Sequence, residues 1–506
     1  MSAKKEGSLT EKTGVVVFAR ILTTVIDLLL AVAIVRILSK TDFAIIGYLL
    51  MIHEVARNLA VMGFPESVFY YFERLGNNAR RGFAFQTIAI LLVTGIVAAS
   101  AIIIFNFFVP ALLTNWPEAS VLAVQEFLPL MAIVALFEIP SWPVANILLA
   151  ADRQKDAAWY EIGTSSLSFI ALIIPLWLGF SLGFALWCLV GYAVLRFVCS
   201  IVWVWFVLPA GRSIGSDITL TEQAGFSIPL GLSALVGKFN KYIDKFVVSI
   251  LLVDTAYAEY SVAANEVPII KVIPFAVGSV LISRYVSLNL EAKKEELLAL
   301  WYKGIEKVSL LVVPLTILVI VIANDLILLV FETEGTSYAA AVLPFQIYNL
   351  IVLIRVTHYG SILQAFGDTK GILYFSLNLL AANIILSIPF TWYFGIVGTA
   401  LSTLIANIYN WYIILRRIGK HMELPVSKVL PFPFYFKVLG LSVVSGIPIW
   451  VLRFLFISPE NNLAGLIFGI TTFLVMFLAL GTFLNIITKE DWRKFLDWIS
   501  LKFLYK

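Results

Sequence analysis

Charged side chains interrupt an apolar stretch of the sequence between residues 227 and 288. Its first half carries three lysines at positions i, i+3 and i+7, the spacing of one helix face, with an aspartate beside them: Lys238, Lys241, Lys245 and Asp244. A charge at the centre of a bilayer costs roughly 2.5–3.5 kcal/mol, so such side chains face a protein interior or a water-filled cavity. Lysines held there are suited to binding an anion such as a phosphate through charge-assisted hydrogen bonds.

The composition indicates that most of the chain lies in a membrane. Of its 506 residues, 60% are hydrophobic and only 13% are charged, and the mean hydropathy is +0.95. Soluble domains are about 25% charged. The polar opening MSAKKEGSLTEKTG is followed by an apolar run without a small-residue cleavage site, so we expect no removable signal peptide.

Fourteen apolar segments are long enough to cross a hydrocarbon core of about 30 Å, which predicts an all-α polytopic membrane protein. The predicted spans are 14–37, 43–73, 82–109, 122–149, 157–179, 183–208, 224–252, 256–288, 304–331, 339–366, 371–394, 396–415, 435–456 and 463–487. Lysine and arginine concentrate in alternate connections and at both termini. The positive-inside rule therefore predicts that both termini are cytoplasmic.

Short matches recur at offsets of 212 to 215 residues and indicate an internal repeat. Glu54 and Glu266 are 212 residues apart, and ILLAADRQK from Ile147 matches ILQAFGDTK from Ile362. Each half holds six predicted spans and so keeps one orientation, which places the expected substrate site between two pseudo-symmetric lobes. We expect an N-terminal cytoplasmic tail (1–13), an N-lobe of helices 1–6 (14–210), a cytoplasmic linker (211–223), a C-lobe of helices 7–12 (224–415), a basic cytoplasmic linker (416–434), helices 13 and 14 (435–487) and an amphipathic cytoplasmic tail (488–506).

The repeat counterparts of the lysine-bearing span are also charged. Spans one and two carry Arg20, Asp27, Glu54 and Arg57. We predict that a cationic cavity binds the substrate through Arg20, Arg57, Lys238, Lys241 and Lys245. An internal Glu54–Arg57 pair is the alternative for that part of span two, and Lys245 can instead offset Asp244.

Three intramembrane carboxylates in these related spans are candidates for ion coupling: Asp27, Glu54 and Glu266. Burial raises the pKa of a carboxyl group and a neighbouring cation lowers it, so one of them can be poised to take up H⁺ or bind Na⁺. The alternative is that each carboxylate only neutralises a nearby arginine or lysine.

Over nearly its whole length the chain resembles the multidrug/oligosaccharidyl-lipid/polysaccharide (MOP) exporter superfamily, and within it the Wzx-type oligosaccharide flippases, with the second half carrying most of the resemblance. The resemblance is carried by YIDKFVVSILL, EYSVAANEV, LQAFGDTKG, NLLAANIILSIP and FGIVGTALST. It implies that two lobes alternate in access and turn an oligosaccharide linked to undecaprenyl diphosphate from the cytoplasmic to the outer leaflet of the inner membrane, for surface polysaccharide biosynthesis. Two extra spans are also seen in the related lipid II flippases, where they help to accommodate the lipid tail.

The expected partners are the lipid-linked oligosaccharide, membrane lipids and, as an open possibility, other polysaccharide assembly proteins, with no nucleic acid. We expect no cofactor and no metal, with H⁺ or Na⁺ coupling left open, and no enzymatic activity. One alternative is a cation-coupled multidrug exporter of the same superfamily, which would need acidic rather than basic cavity residues. The other is a membrane oligosaccharide polymerase or glycosyltransferase, which would need a sizeable external loop that the short predicted connections do not provide.

Overall fold

The structure is a computed structural model that describes residues 9–209, 216–333, 335–456, 461–488 and 493. These residues are helical apart from loops, turns and one isolated bridge between Thr333 and Thr336, so the predicted all-α class is confirmed. The chain forms two compact units, residues 1–258 and 259–506. Most of the predicted amphipathic tail (488–506) and part of the linker (211–223) lie outside the described residues.

The N-terminal unit contains eleven complete helices and the start of a twelfth. They are α1 (Leu9–Ile37), α2 (Lys40–Val61), α3 (Phe64–Phe72), α4 (Asn77–Asn106), α5 (Val109–Leu112), α6 (Glu118–Ser141), α7 (Val144–Ala150), α8 (Gln154–Trp177), α9 (Leu182–Val207), α10 (Leu220–Phe239), α11 (Ile243–Leu251) and α12 (Asp254–Ala263). The boundary between the two units falls inside α12. Helix α1 begins at Leu9, four residues before the predicted end of the N-terminal tail at residue 13.

The C-terminal unit contains the remaining described helices. They are α13 (Pro268–Leu290), α14 (Lys294–Val321), α15 (Ala323–Phe331), α16 (Val342–Leu353), α17 (Tyr359–Ala365), α18 (Thr369–Met422), α19 (Phe432–Phe456) and α20 (Asn462–Phe483), with short 3₁₀ turns at Ala339–Ala341 and Val426–Lys428. Its core is built around the fully buried Trp301, whose indole N–H donates to the carbonyl of Val429 at 2.9 Å. Helix α18 extends into the predicted basic linker (416–434).

The break between α2 and α3 shows how the sequence interrupts a span. Met62 and Gly63 adopt left-handed conformations with φ of 42° and 76°, and Pro65 follows in the first turn of α3. Glycine tolerates this conformation without steric cost, and proline suits the start of a helix because it has no N–H to leave unpaired. The break divides predicted span two, and Gly63 lies directly against the backbone of α10 at Ser227 and Gly231.

Helix α18 is a hairpin of two predicted spans. It reverses at Gly395, where φ is 58° and ψ is −142°. Side chains at positions symmetric about this glycine then pair, and the hydroxyls of Thr391 and Thr399 lie 2.8 Å apart. Further pairs join Ser387 to Ser402 and Asn378 to Asn410. Hydrogen bonds of this kind hold membrane helices together where the hydrophobic effect contributes little.

Eleven helical segments among the described residues are long and apolar enough to cross a membrane, so the chain is an integral membrane protein. The three predicted spans outside this count have a structural explanation. The seventh is divided into α10 and α11, the tenth is divided into α16 and α17, and the eleventh and twelfth share α18.

The internal repeat is visible in the helices. Helices α7 and α17 are both seven residues long and begin 215 residues apart, at Val144 and Tyr359. Each is followed by a residue with positive φ, Asp152 at 60° and Gly367 at 72°. The repeat inferred from short sequence matches therefore also holds in the local backbone.

Candidate functional site

A polar cavity of about 610 Å³ lies within the N-terminal unit. Helices α1, α2, α6, α8 and α9 supply most of its wall. Its charged or titratable lining residues are Arg20, Asp27, His53, Glu54, Arg57, Glu66, Glu138, Glu161 and Arg196. Four predicted site residues from spans one and two therefore line one cavity.

The lining of this cavity carries a mixed charge, whereas the sequence analysis predicted a cationic cavity between the two lobes. Five carboxylates face it with three arginines and one histidine. The predicted cations come from spans one, two and seven. In the structure, α6 and α8 add the carboxylates of Glu138 and Glu161 to the lining. Bringing these helices together makes the cavity mixed in charge, with more acidic than basic groups.

Glu138 of α6 is the centre of the ionic network. Its side chain is 12% exposed, and its carboxylate lies 3.0 Å from Arg196 Nη1, 3.2 Å from His53 Nε2 and 3.4 Å from Arg57 Nη1. A buried charge is tolerated only when partners offset its loss of hydration. Helices α2, α6 and α9 are therefore tied together through one carboxylate.

Arg57 is held from several sides. Its Nη2 lies 2.5 Å from the Glu54 carboxylate, so the internal Glu54–Arg57 pair, given above as the alternative for this part of span two, is present. Its guanidinium lies 3.9 Å from the ring centroid of Trp142, within cation–π range. The buried Nε has no hydrogen-bond partner among the described residues. Arg57 thus keeps one unused donor, but an incoming anion has to compete with Glu54.

Tyrosines complete the network around Arg196. Its Nη1 lies 3.3 Å from the hydroxyl of Tyr192, and its Nε lies 3.5 Å from the hydroxyl of Tyr160. The Tyr160 hydroxyl also lies 2.7 Å from that of Ser200. Hydroxyls, carboxylates, guanidiniums and the Trp142 indole together give the cavity both donors and acceptors for a hydroxyl-rich ligand.

The lysines of span seven do not share one face of a continuous helix, so that prediction is wrong. Helix α10 ends at Phe239 and α11 begins at Ile243. Between them the amides of Lys241 and Tyr242 bond to carbonyls three residues back, which winds the chain more tightly than an α-helix. Lys238 and Lys241 are exposed and Lys245 is half-buried, and none of the three lines the polar cavity.

Glu266 lies in the C-terminal unit, whereas Asp27 and Glu54 lie in the N-terminal unit. Its side chain is 8% exposed and accepts a hydrogen bond from Arg355 Nη1. Arg355 sits in the break between α16 and α17, and its Nη2 donates to Asn407 at 3.0 Å. Glu54 and its repeat counterpart Glu266 therefore each pair with an arginine, Arg57 in one unit and Arg355 in the other.

Two functional candidates escaped the sequence analysis. Glu138 lies in predicted span four and Arg196 in predicted span six, outside the more heavily charged spans one, two, seven and eight. Arg196 stands alone in the apolar run of α9, with no charged neighbour in the helix. A lone arginine inside a span is itself a signal of an interior partner, and that signal would have found the network.

Comparisons with known proteins agree with this architecture. A sequence profile of the polysaccharide biosynthesis protein family matches residues 33–343. A probable lipid II flippase MurJ of Vibrio cholerae is 23% identical over 320 residues, which are 58% of this chain and 60% of that protein's length.

Solved structures share the fold. A lipid II flippase MurJ in an inward closed conformation superposes with a TM-score of 0.67 at 17% identity, covering 93% of this chain and 98% of its own. An inward-facing MATE multidrug resistance transporter of the MOP superfamily gives 0.63 at 14% identity, covering 79% and 94%. A MOP transporter from Pyrococcus furiosus, described as having a binding pocket of reverse polarity, gives 0.56 at 12% identity, covering 84% and 99%.

Proposed function

This chain belongs to the polysaccharide biosynthesis protein family, and from that premise we propose that it is a flippase for a lipid-linked oligosaccharide. It moves the glycan on undecaprenyl diphosphate from the cytoplasmic to the outer leaflet of the inner membrane, for surface polysaccharide biosynthesis. Both termini are cytoplasmic in this proposal. The activity is transport without chemical conversion of the substrate, and other polysaccharide assembly proteins would supply the substrate and receive it.

The observation that carries the proposal is the polar cavity inside a largely apolar helical unit. A glycan cannot cross the hydrocarbon core without replacing its hydrogen bonds to water. Carboxylates such as Glu138 and Glu161 accept hydrogen bonds from sugar hydroxyls, and arginines donate to oxygens. At about 610 Å³ the cavity is within the usual range of about 300–1,000 Å³ for small-molecule sites.

Arg57 is the residue that we assign to the substrate's phosphate. Its Nε–H is buried and has no acceptor among the described residues, while Glu54 and Glu138 each bind one of its two Nη nitrogens. A phosphate can take over the place of Glu54, with Arg20 as a second cation on the cavity wall. Lys238, Lys241 and Lys245 remain proposed contacts for the anion as it enters or leaves.

The family and the fold support transport by alternating access of the two lobes. The breaks at Met62–Gly63 and at Asn240–Tyr242 are places where helix segments can change direction. If a gradient drives the cycle, Asp27, Glu54 or Glu266 would bind H⁺ or Na⁺. Glu54 suits this role best, because releasing Arg57 to a phosphate leaves that carboxylate without its cationic partner and only with the hydrogen bond from Tyr242.

A cation-coupled multidrug exporter is the second candidate. The excess of carboxylates over arginines in the cavity favours it, since acidic groups suit a cationic drug. One experiment separates the two functions. The purified protein is reconstituted into liposomes, and a lipid-linked oligosaccharide in the inner leaflet is followed by its exposure to an external glycosidase, in parallel with uptake of a cationic dye.

The flippase proposal predicts faster glycan exposure than in protein-free liposomes and no saturable dye transport. Liposomes in which the protein moves only the dye would reverse the assignment. Glu126→Gln is a suitable control variant, because Glu126 is an exposed carboxylate on α6 outside the cavity lining.

A further inference from the structure

An apolar groove of about 770 Å³ lies beside the polar cavity in the N-terminal unit. Its walls are α2, α4 and the α10–α11 segment, represented by Met51, Val55, Leu59, Val97, Ile228 and Phe246. The two polar side chains on its wall are both engaged. Thr94 donates to the carbonyl of Leu91, and the hydroxyl of Tyr242 donates to Glu54. The groove therefore offers a ligand only hydrocarbon surface.

Helix α2 is the wall that the groove and the polar cavity share. Val55 and Ala56 face the groove, while Glu54 and Arg57 beside them line the cavity. Tyr242 spans the junction, because its ring lines the groove and its hydroxyl lies 3.3 Å from Glu54. A single molecule with a polar head and a long hydrocarbon chain can thus occupy both spaces around one helix.

We propose that this groove holds the polyprenyl chain of the lipid-linked substrate while its polar head occupies the cavity. The inference deepens the proposed function and rests on it. The groove is not sealed, since Val97 on its wall is 64% exposed. A chain lying there stays in hydrocarbon throughout, so only the head has to enter a polar environment.

The position proposed here for the lipid tail differs from the one that the family resemblance implies. That resemblance places the lipid tail with the two extra spans, which here correspond to α19 and α20 in the C-terminal unit. In a membrane the hydrophobic effect adds little to binding of a chain, because lipid tails are as apolar as leucine. Selectivity in the groove must therefore come from van der Waals fit to a methyl-branched chain and from the adjoining head site.

Native mass spectrometry of the purified full chain tests the proposal. The probe is undecaprenyl monophosphate, and dioleoyl phosphatidylglycerol is the anionic lipid with ordinary chains. Val97→Trp fills the groove from α4, and Val93→Trp is its matched control. Val93 lies one turn away on the same helix, is similarly exposed at 61%, and is outside the groove. Leu59→Trp repeats the test from the α2 wall.

We expect Val97→Trp and Leu59→Trp to lower retention of undecaprenyl monophosphate about fivefold or more. Val93→Trp should match the wild type, and phosphatidylglycerol should be retained equally by all four proteins. Equal retention of the polyprenyl probe by all four proteins would overturn the proposal. An equal loss of both lipids in the groove variants would mean that ordinary membrane lipid fills the groove, which also overturns it.

Flipping in liposomes separates this inference from the proposed function. If the groove variants lose the polyprenyl probe but the wild type flips no glycan, the groove is supported as a polyprenyl site and the flippase assignment is wrong. If the wild type flips glycan and the groove variants bind the probe and flip glycan like the wild type, the flippase assignment is supported. The proposal that the groove holds the polyprenyl chain is then wrong.

Discussion

Replacing Glu138 by glutamine removes the charge on which the polar cavity is built. The isosteric amide keeps the volume of the side chain but leaves Arg57, Arg196 and His53 without their shared carboxylate. Breaking a buried ion pair by removing one partner costs about 3–5 kcal/mol, because an uncompensated charge stays inside the protein. Glu54 still pairs with Arg57, so Arg196 bears most of the loss.

Thermal unfolding of the purified protein in detergent measures this cost. For a unit of this size, 1 kcal/mol corresponds to about 2–4 °C in Tm, so Glu138→Gln should lower Tm by about 6–20 °C. Glu126→Gln is the matched control, with the same substitution on the same helix at an exposed position. Exposed substitutions change stability by about 0.5 kcal/mol or less. A Tm for Glu138→Gln within 1–2 °C of the control would refute the network as a source of stability.

Three further predictions concern positions outside the cavity. Arg417 and His421 hydrogen-bond to Asp368 and lower the pKa of that carboxyl below its ordinary value of 3.8, so the stability they supply is present at neutral pH and is lost as the pH falls through the lowered pKa. Thermal unfolding should therefore show a lower Tm for Asp368→Asn than for the wild type at pH 7. In strong acid the difference in Tm between the two proteins should become smaller. Gly231→Ala places a Cβ 2.2 Å from the carbonyl carbon of Met62 and should cost about 1–3 kcal/mol, whereas Gly237→Ala on the same helix meets nothing within 4 Å and should leave Tm unchanged. Thr391→Val removes one hydrogen bond of the α18 hairpin and should cost only about 0.6 kcal/mol by the same assay; a loss of several kcal/mol would mean that the pair does more than fix the register.

The apolar spans and the break after α2 were predictable from the sequence, because each depends on nearby residues. The breaks inside the seventh and tenth predicted spans were not predicted. Runs of apolar residues locate the spans, and the Gly63-Phe64-Pro65 sequence marks the break after α2. The Glu54–Arg57 pair follows from a spacing of three on one helix. In all these cases the interacting groups are close in sequence, and helix geometry alone brings them together.

The ionic network was not predictable in this way. Arg196 lies 58 residues from Glu138 and 139 from Arg57, so their meeting depends on how α2, α6 and α9 pack. The prediction that Lys238, Lys241 and Lys245 share one helix face was wrong for another reason. Three turn residues between α10 and α11 change the winding of the chain. Tertiary packing decides which charges share a cavity, and periodicity within one helix cannot report it.

The rate of glycan flipping by Arg57→Gln tests the central claim most directly. It is measured in liposomes by glycosidase accessibility, with the elution profile of the purified variant as the check on folding. Hydrogen bonds to a charged group contribute about 1.5–3 kcal/mol each, so losing the assigned phosphate contact should slow flipping about 10- to 100-fold. Arg57→Lys should flip glycan at a rate between those of the wild type and Arg57→Gln, because it keeps the charge without the forked geometry. A well-folded Arg57→Gln protein that flips the lipid-linked oligosaccharide at the wild-type rate would contradict the assignment.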